Sequence, residues 1–367
     1  MFKFVTCILL ILFGNFERAR STETVSVFAL MRHGARAPFT PPDTYYKAIG
    51  ALKPYDLTAI GIKEHILLGR YFRTRFRYLD PRDTIFYASE SERCIRSMLA
   101  FSYEYLQGED NGKRKILDMS FFKPKDYTKF NAYQMKRLNR QKHNINRLYN
   151  DSVVAGLPDA IRAYCPACKR PETLYDKLSL MKKIKSIYYC NTMNSVPVSH
   201  IRRDILPFLE AAGLTLSAIE FIKYRYAVNS ARNMFRLLGK FLLLTMGRAY
   251  KDQDPSDPFA NLEAAPGTFI FAHNHNIMAF LVVLLGPKKV FQDNYFLPEF
   301  AATAVIETFR IKGKKEGLKQ VNGYQDGKIY VRFLYRFKDI KLHFCRAEYC
   351  TVDELITFID KLYKKNN

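Results

Sequence analysis

Apolar runs that stop abruptly at polar clusters constrain this chain most. Residues 25–31 (VSVFALM) are apolar and β-branched and read as a buried strand that ends at an Arg-His-Gly turn. Residues 58–76 then carry Ile62, Ile66, Leu67 and Tyr71 at helical spacing, residues 84–88 form a second short strand, and residues 89–106 are again helical. Strand, helix, strand, helix predicts a parallel α/β sheet. Between residues 109 and 257 the pattern changes to charged amphipathic helices without a convincing strand, and strand character returns at 268–272, 304–311 and 328–337. The predicted architecture is therefore an α/β three-layer sandwich with a mainly parallel central sheet, built from residues 21–108 and 258–367, carrying an inserted helical cap at 109–257. The last helix, 352–363, has a capping box in Thr351 and Glu354 and an apolar face of Leu355, Ile356, Ile359 and Leu362.

The first twenty residues hold a lysine, an apolar block and then charges, the pattern of a secretory signal peptide with cleavage expected between Ala19 and Glu23. The block is short for a bilayer span, which takes roughly twenty apolar residues, so no membrane span is expected after removal of the leader. The expected location is the secretory pathway, either secreted or lysosomal. Six cysteines would remain, Cys94, Cys165, Cys168, Cys190, Cys345 and Cys350, and an oxidising compartment would pair most of them. Asn150-Asp151-Ser152 is a glycan acceptor triplet in that setting. A formal charge of +23 raises the question of nucleic acid, but the basic residues are spread along the chain and no zinc-finger, RNP-type or basic-zipper pattern accompanies them. A solvated basic surface is the expectation, with no nucleic-acid partner.

In parallel α/β sheets the ligand crevice lies beyond the carboxyl ends of the strands. Three polar segments end predicted strands here: residues 32–38 (RHGARAP), 89–93 (SESER) and 273–276 (HNHN). Two arginines bracketing a histidine suit a phosphoryl group, because guanidinium forks pair with phosphate oxygens while an unprotonated imidazole nitrogen attacks phosphorus. RHGARAP matches the RHGxRxP signature of the histidine acid phosphatases of the histidine phosphatase superfamily. The chain also resembles that family in LTAIGIKEHILLGRYFRTRF, similar to the first helix, in FIFAHNHN, similar to the late strand ending in His-Asp, and in Cys345 and Cys350 ahead of a final helix.

The resemblance implies a two-step phosphomonoesterase without a cofactor or metal, acting on a small-molecule or protein phosphomonoester. His33 would be the nucleophile that becomes phosphohistidine, Arg32 and Arg36 would bind phosphate, and His273 would add a hydrogen bond to it. Two departures stand out. His273-Asn274 replaces the family's His-Asp, and an amide cannot protonate a leaving group. Where the family's second strand ends in Arg-Ser-Thr, the spacing back from Arg93 gives Tyr87-Ala88-Ser89, so a phenol would stand for a third phosphate-binding arginine. His275, Glu90 and Glu92 are candidate substitutes for the missing acid; Glu90 and Glu92 also read as a solvated helix amino terminus. The competing reading is a pseudophosphatase that binds phosphorylated or anionic ligands without turnover. Cys345 and Cys350 bracket a short loop and are expected to pair. Cys165-Pro166-Ala167-Cys168 lacks the setting of a redox or zinc site, which leaves a structural bridge involving Cys190, with Cys94 as a buried free thiol.

Overall fold

The computed structural model describes residues 22–38, 52–109, 113–123, 127–140, 142–143, 146, 173–196, 205–221, 224–249, 262–292, 298–311, 320–321, 324–325 and 328–364. The signal-peptide, glycan-triplet, Cys165 and Cys168 readings fall outside them.

The expected alternation is present. Strand β1 (Thr22–Arg32) is followed by α1 (Ala59–Arg75), β2 (Thr84–Ser89), α2 (Glu92–Tyr105) and β3 (Arg114–Leu117). Helices α3 (Tyr127–Arg140), α4 (Leu174–Met193), α5 (Leu206–Phe221) and α6 (Tyr224–Thr245) come next. The chain then returns through β4 (Gly267–Ala272), α7 (Asn274–Leu285), α8 (Pro287–Gln292) and β5 (Thr303–Ile311). It closes with the small pair β6 (Gln320–Val321) and β7 (Tyr324–Gln325), then β8 (Ile329–Tyr335), β9 (Lys338–Asp339), β10 (Cys350–Thr351) and α9 (Val352–Lys364).

The main sheet runs β10-β8-β5-β1-β4-β2-β3, with β9 on β8. Strands β1, β4, β2 and β3 are mutually parallel, and β5, β8 and β10 extend the sheet antiparallel on the other side of β1. The continuous apolar runs are explained by cover on both faces. Phe28, Leu30, Ile270 and Ala272 pack towards α6, α7 and α9, whereas Val27, Ala29, Met31, Phe269 and Phe271 pack towards α1 and α2. Residues 114–117 correct the expectation that 109–257 lacks strands. RKIL is a short edge strand with only Leu117 buried, so it has no apolar run to betray it. Helix α6 lies within that stretch too, yet packs on β1, α7 and α9 through Phe235, Leu238, Phe241 and Leu242.

The final helix is capped as expected, since Glu354 accepts the Thr351 backbone N–H at 2.8 Å and the Thr351 hydroxyl accepts the Glu354 N–H at 3.2 Å. Cys345 and Cys350 form a disulfide. Cys94 is a buried free thiol, as read. Cys190 is also a buried free thiol, a correction to the expected bridge: it faces inward from α4 against Ala35 and Phe300 beneath the RHGARAP loop. No described helix is long and apolar enough to cross a membrane.

Candidate anion site at the carboxyl ends of β1 and β4

Adjacent parallel strands β1 and β4 lead into helices on opposite faces of the sheet, α1 with the Leu68 and Phe72 side and α7 with the Phe280 side. Chains that part in this way leave a crevice at the strands' carboxyl ends. Arg32 ends β1, His273 follows β4, and Ser89 ends β2. All three polar segments singled out from the sequence therefore meet in one place.

The loop after β1 is fastened along its length. The His33 N–H donates to the Ala272 carbonyl at 3.0 Å and the His33 carbonyl accepts from the Ala301 N–H at 3.2 Å. Gly34 N–H donates to the Ser97 hydroxyl at 3.1 Å, and Ala35 N–H to Glu64 Oε2 at 2.7 Å. The Thr58 hydroxyl, which caps α1, also donates to the Ala35 carbonyl at 3.1 Å. Gly34 is required by close approach, because a Cβ there would run into the backbone of Gly61, one turn into α1. His65, next to Glu64, lies 3.2 Å from the Arg32 carbonyl through Nε2, and burial holds its pKa down to about 3.

This anchoring sets the state of His33. Its Nδ1 lies 2.9 Å from the Gly34 carbonyl, which only accepts, so Nδ1 carries the proton and Nε2 keeps the lone pair. Burial, then the charges of Arg32, Arg93 and Arg36, hold its pKa well below the ordinary imidazole value. A neutral imidazole with a free Nε2 is the nucleophilic form.

Three guanidinium groups surround it. Arg32 is buried, donates to the Pro298 carbonyl at 2.6 Å, lies 4.2 Å from the Phe300 ring centre, and is lowered by burial to about 10. Arg36 is half-buried and donates to the Ala37 carbonyl at 2.7 Å and the Ser186 hydroxyl at 3.3 Å. Arg93 places Nη2 3.2 Å from His273 Nδ1. The Nε groups of Arg32 and Arg93 are buried with no hydrogen-bond partner among the described residues.

His273 completes the cluster, edge-on to His33 at 5.7 Å between ring centres. A guanidinium only donates, so His273 Nδ1 accepts from Arg93 and Nε2–H donates to the Ser89 hydroxyl at 3.0 Å. Both nitrogens thus have partners, and the hydrogen bond expected towards phosphate would have to come from the Nε2–H now held by Ser89. Burial and then Arg93 lower the pKa of His273 to about 2. The His275 ring is stacked on it at 5.5 Å, lowered to about 4 by burial and then by Lys182.

The assignment of Tyr87 is corrected. Its hydroxyl donates to the Glu263 carbonyl at 2.7 Å, in the segment that leads into β4, whereas His273 lies beyond the other end of that strand. Its ring belongs to the core with Phe121, Phe122 and Ile270. The third guanidinium comes from Arg93, the second residue of α2 and the last of the polar segment 89–93, which the sequence reading uses as the mark for counting to Tyr87 and gives no phosphate-binding role. Glu90 and Glu92 are exposed at the amino end of α2, where the helix dipole favours them, and neither forms a side-chain hydrogen bond among the described residues. Asn274, the first residue of α7, is half-buried directly beside His273. Two residues given no role in the sequence reading brace the site: Glu64 under the loop, and Asn276, the last of the segment 273–276, which accepts from His273 N–H at 3.1 Å and donates to the Phe122 carbonyl at 2.9 Å.

No curated protein matches this sequence significantly. Solved structures share the fold at low identity. A phytase from Citrobacter braakii aligns with TM-score 0.58 and 14% identity, over 93% of this chain and 98% of its own. The multiple inositol polyphosphate phosphatase of Bifidobacterium longum, in complex with phosphate, aligns with TM-score 0.59 and 14% identity, over 93% of this chain and 92% of its own. A Hafnia alvei phytase in complex with myo-inositol hexakis sulphate gives 0.54 and 15%, over 93% and 97%. At such identity they speak for the fold alone, but the sequence itself matches a family description across residues 41–336, most of its length, and the chain therefore belongs to the histidine phosphatase superfamily, branch 2.

Proposed function

We propose that the chain is a phosphomonoester hydrolase acting through a phosphohistidine at His33. The observation that carries this reading is a neutral imidazole with Nε2 free, held among the guanidinium groups of Arg32, Arg36 and Arg93. The arginines bind the phosphoryl oxygens and offset their charge, since charge-assisted hydrogen bonds in a partly desolvated crevice are the strong ones. The Nε2 lone pair forms a bond to phosphorus as the ester P–O bond breaks. Water then attacks phosphorus, the N–P bond breaks, and phosphate leaves with His33 restored. His273, as acceptor for Arg93, orients that guanidinium towards the anion. Two structures of the same fold were solved with such anions, one with phosphate and one with myo-inositol hexakis sulphate, which is in keeping with an anion ligand. The leader-like first twenty residues and the Cys345–Cys350 disulfide support entry into the secretory pathway.

Asn274 favours a second reading, an anion-binding protein with little turnover. In this reading, Asn274 stands where the family's aspartic acid protonates the leaving group, and Glu90 and Glu92 are exposed rather than hydrogen-bonded into the site. Hydrolysis of a generic aryl phosphate by the purified chain, beside His33→Ala, separates the two. Turnover that disappears in the variant supports the hydrolase. Phosphate binding without turnover in either protein supports the second reading.

A further inference from the structure

Tyr55 sits at the mouth of the crevice in a conformation unusual for its type. Its φ is 69°, the left-handed region in which a side chain is strained, and it is 45% exposed. The turn that carries it is pinned to the RHGARAP loop. Lys53 N–H donates to Asp56 Oδ2 at 2.8 Å, Ala37 N–H donates to the Asp56 carbonyl at 2.8 Å, and Arg36 forms a bridge with Leu57. The phenol ring is thereby placed against two of the three site arginines, 4.9 Å from the Arg36 guanidinium carbon and 5.5 Å from that of Arg93.

Stacking on a ring engages the face of a guanidinium and does not use its in-plane N–H groups. A ring so placed holds the two arginines together without competing for the phosphoryl oxygens. Its exposed remainder is ring surface beside those two guanidinium groups. The substituent of a phosphomonoester held by Arg36 and Arg93 would lie within reach of this ring.

We propose that Tyr55 is a specificity-determining residue that favours phosphomonoesters of aromatic alcohols, its ring both positioning Arg36 and Arg93 and contacting the leaving group. This rests on the reading of the crevice as a phosphoryl site. Aromatic pairs contribute about 0.5–1.5 kcal/mol beyond buried area, which corresponds to roughly 2- to 12-fold in affinity.

The test uses non-hydrolysable probes, so that it does not depend on turnover. Phenylphosphonate and methylphosphonate are titrated calorimetrically against the wild type, Tyr55→Phe and Tyr55→Gly. Glycine adopts a φ of 69° without strain, so Tyr55→Gly is expected to fold. Thermal denaturation checks this, and Tyr55→Phe keeps the ring in any case. The expected result is phenylphosphonate binding about 2- to 12-fold tighter than methylphosphonate in the wild type and Tyr55→Phe. In Tyr55→Gly the preference should fall to near unity, with both ligands weakened as the arginines lose their platform. An undiminished preference in folded Tyr55→Gly would overturn the role of Tyr55 while leaving the phosphoryl site standing. Absence of binding by either phosphonate to the wild type would overturn the site itself, and this inference with it.

Discussion

Glu64→Gln should gain stability relative to the wild type as pH rises through neutrality. Glu64 is 5% exposed; its Oε2 accepts the Ala35 N–H, while Oε1 is buried without a partner among the described residues. Burial raises its pKa from 4.5 to about 7, against the opposing pull of the Ala35 hydrogen bond and Arg32. The folded state thus holds a proton that the unfolded chain loses near 4.5, and stability falls as pH rises from there through about 7. At about 1.4 kcal/mol per pH unit the displacement is worth about 3 kcal/mol. The amide keeps an oxygen for Ala35 N–H but has no charge to desolvate. His33, His65, His273 and His275 have depressed pKa values, so their contributions rise with pH towards 6.5 and are lost in acid. They are common to both proteins and cancel in the difference. Urea unfolding between pH 5 and 8.5 should therefore show the stability of Glu64→Gln relative to wild type growing by about 3 kcal/mol across the range. Parallel curves would refute the reasoning and mean that Arg32 and Ala35 hold the carboxylate without penalty.

Arg93→Ala should weaken inorganic phosphate by about 1.5 to 3 kcal/mol, the worth of a hydrogen bond to a charged group, in a calorimetric titration. Tyr87→Arg should leave phosphate affinity no tighter and should destabilise the fold by about 3 to 5 kcal/mol in denaturant unfolding, because it places a charge without a partner in the apolar core of Phe121, Phe122 and Ile270. Asn274→Asp should raise turnover of an alkyl phosphate by about 10² to 10⁴ while changing an aryl phosphate little, since a phenolate leaves without a proton and an alkoxide needs one.

The sheet was legible because burial on both faces leaves short apolar runs in β1 (VFALM), β4 (FIFA) and β5 (AVI). The RHGARAP loop was legible because its chemistry sits in consecutive residues. Strand β3 was hidden, since its one buried residue sits among Arg114, Lys115 and Ile116. Tyr87 takes the wrong place because the count crosses a junction: β2 turns Tyr87 into the core facing α6 and α7, and helix α2 begins only after Ser91, which brings Arg93 back over the strand end. The Tyr55 contact with two arginines depends on one left-handed residue, which no periodicity announces.

Trapping the covalent intermediate tests the central claim most directly. Wild-type protein mixed with an aryl phosphate carrying labelled phosphorus and quenched in alkali, which preserves phosphohistidine, should yield label on the peptide containing His33. None should be found in His33→Ala. Label that persists in the variant, or that maps to another residue, would contradict the assignment of His33 as the phosphoryl acceptor.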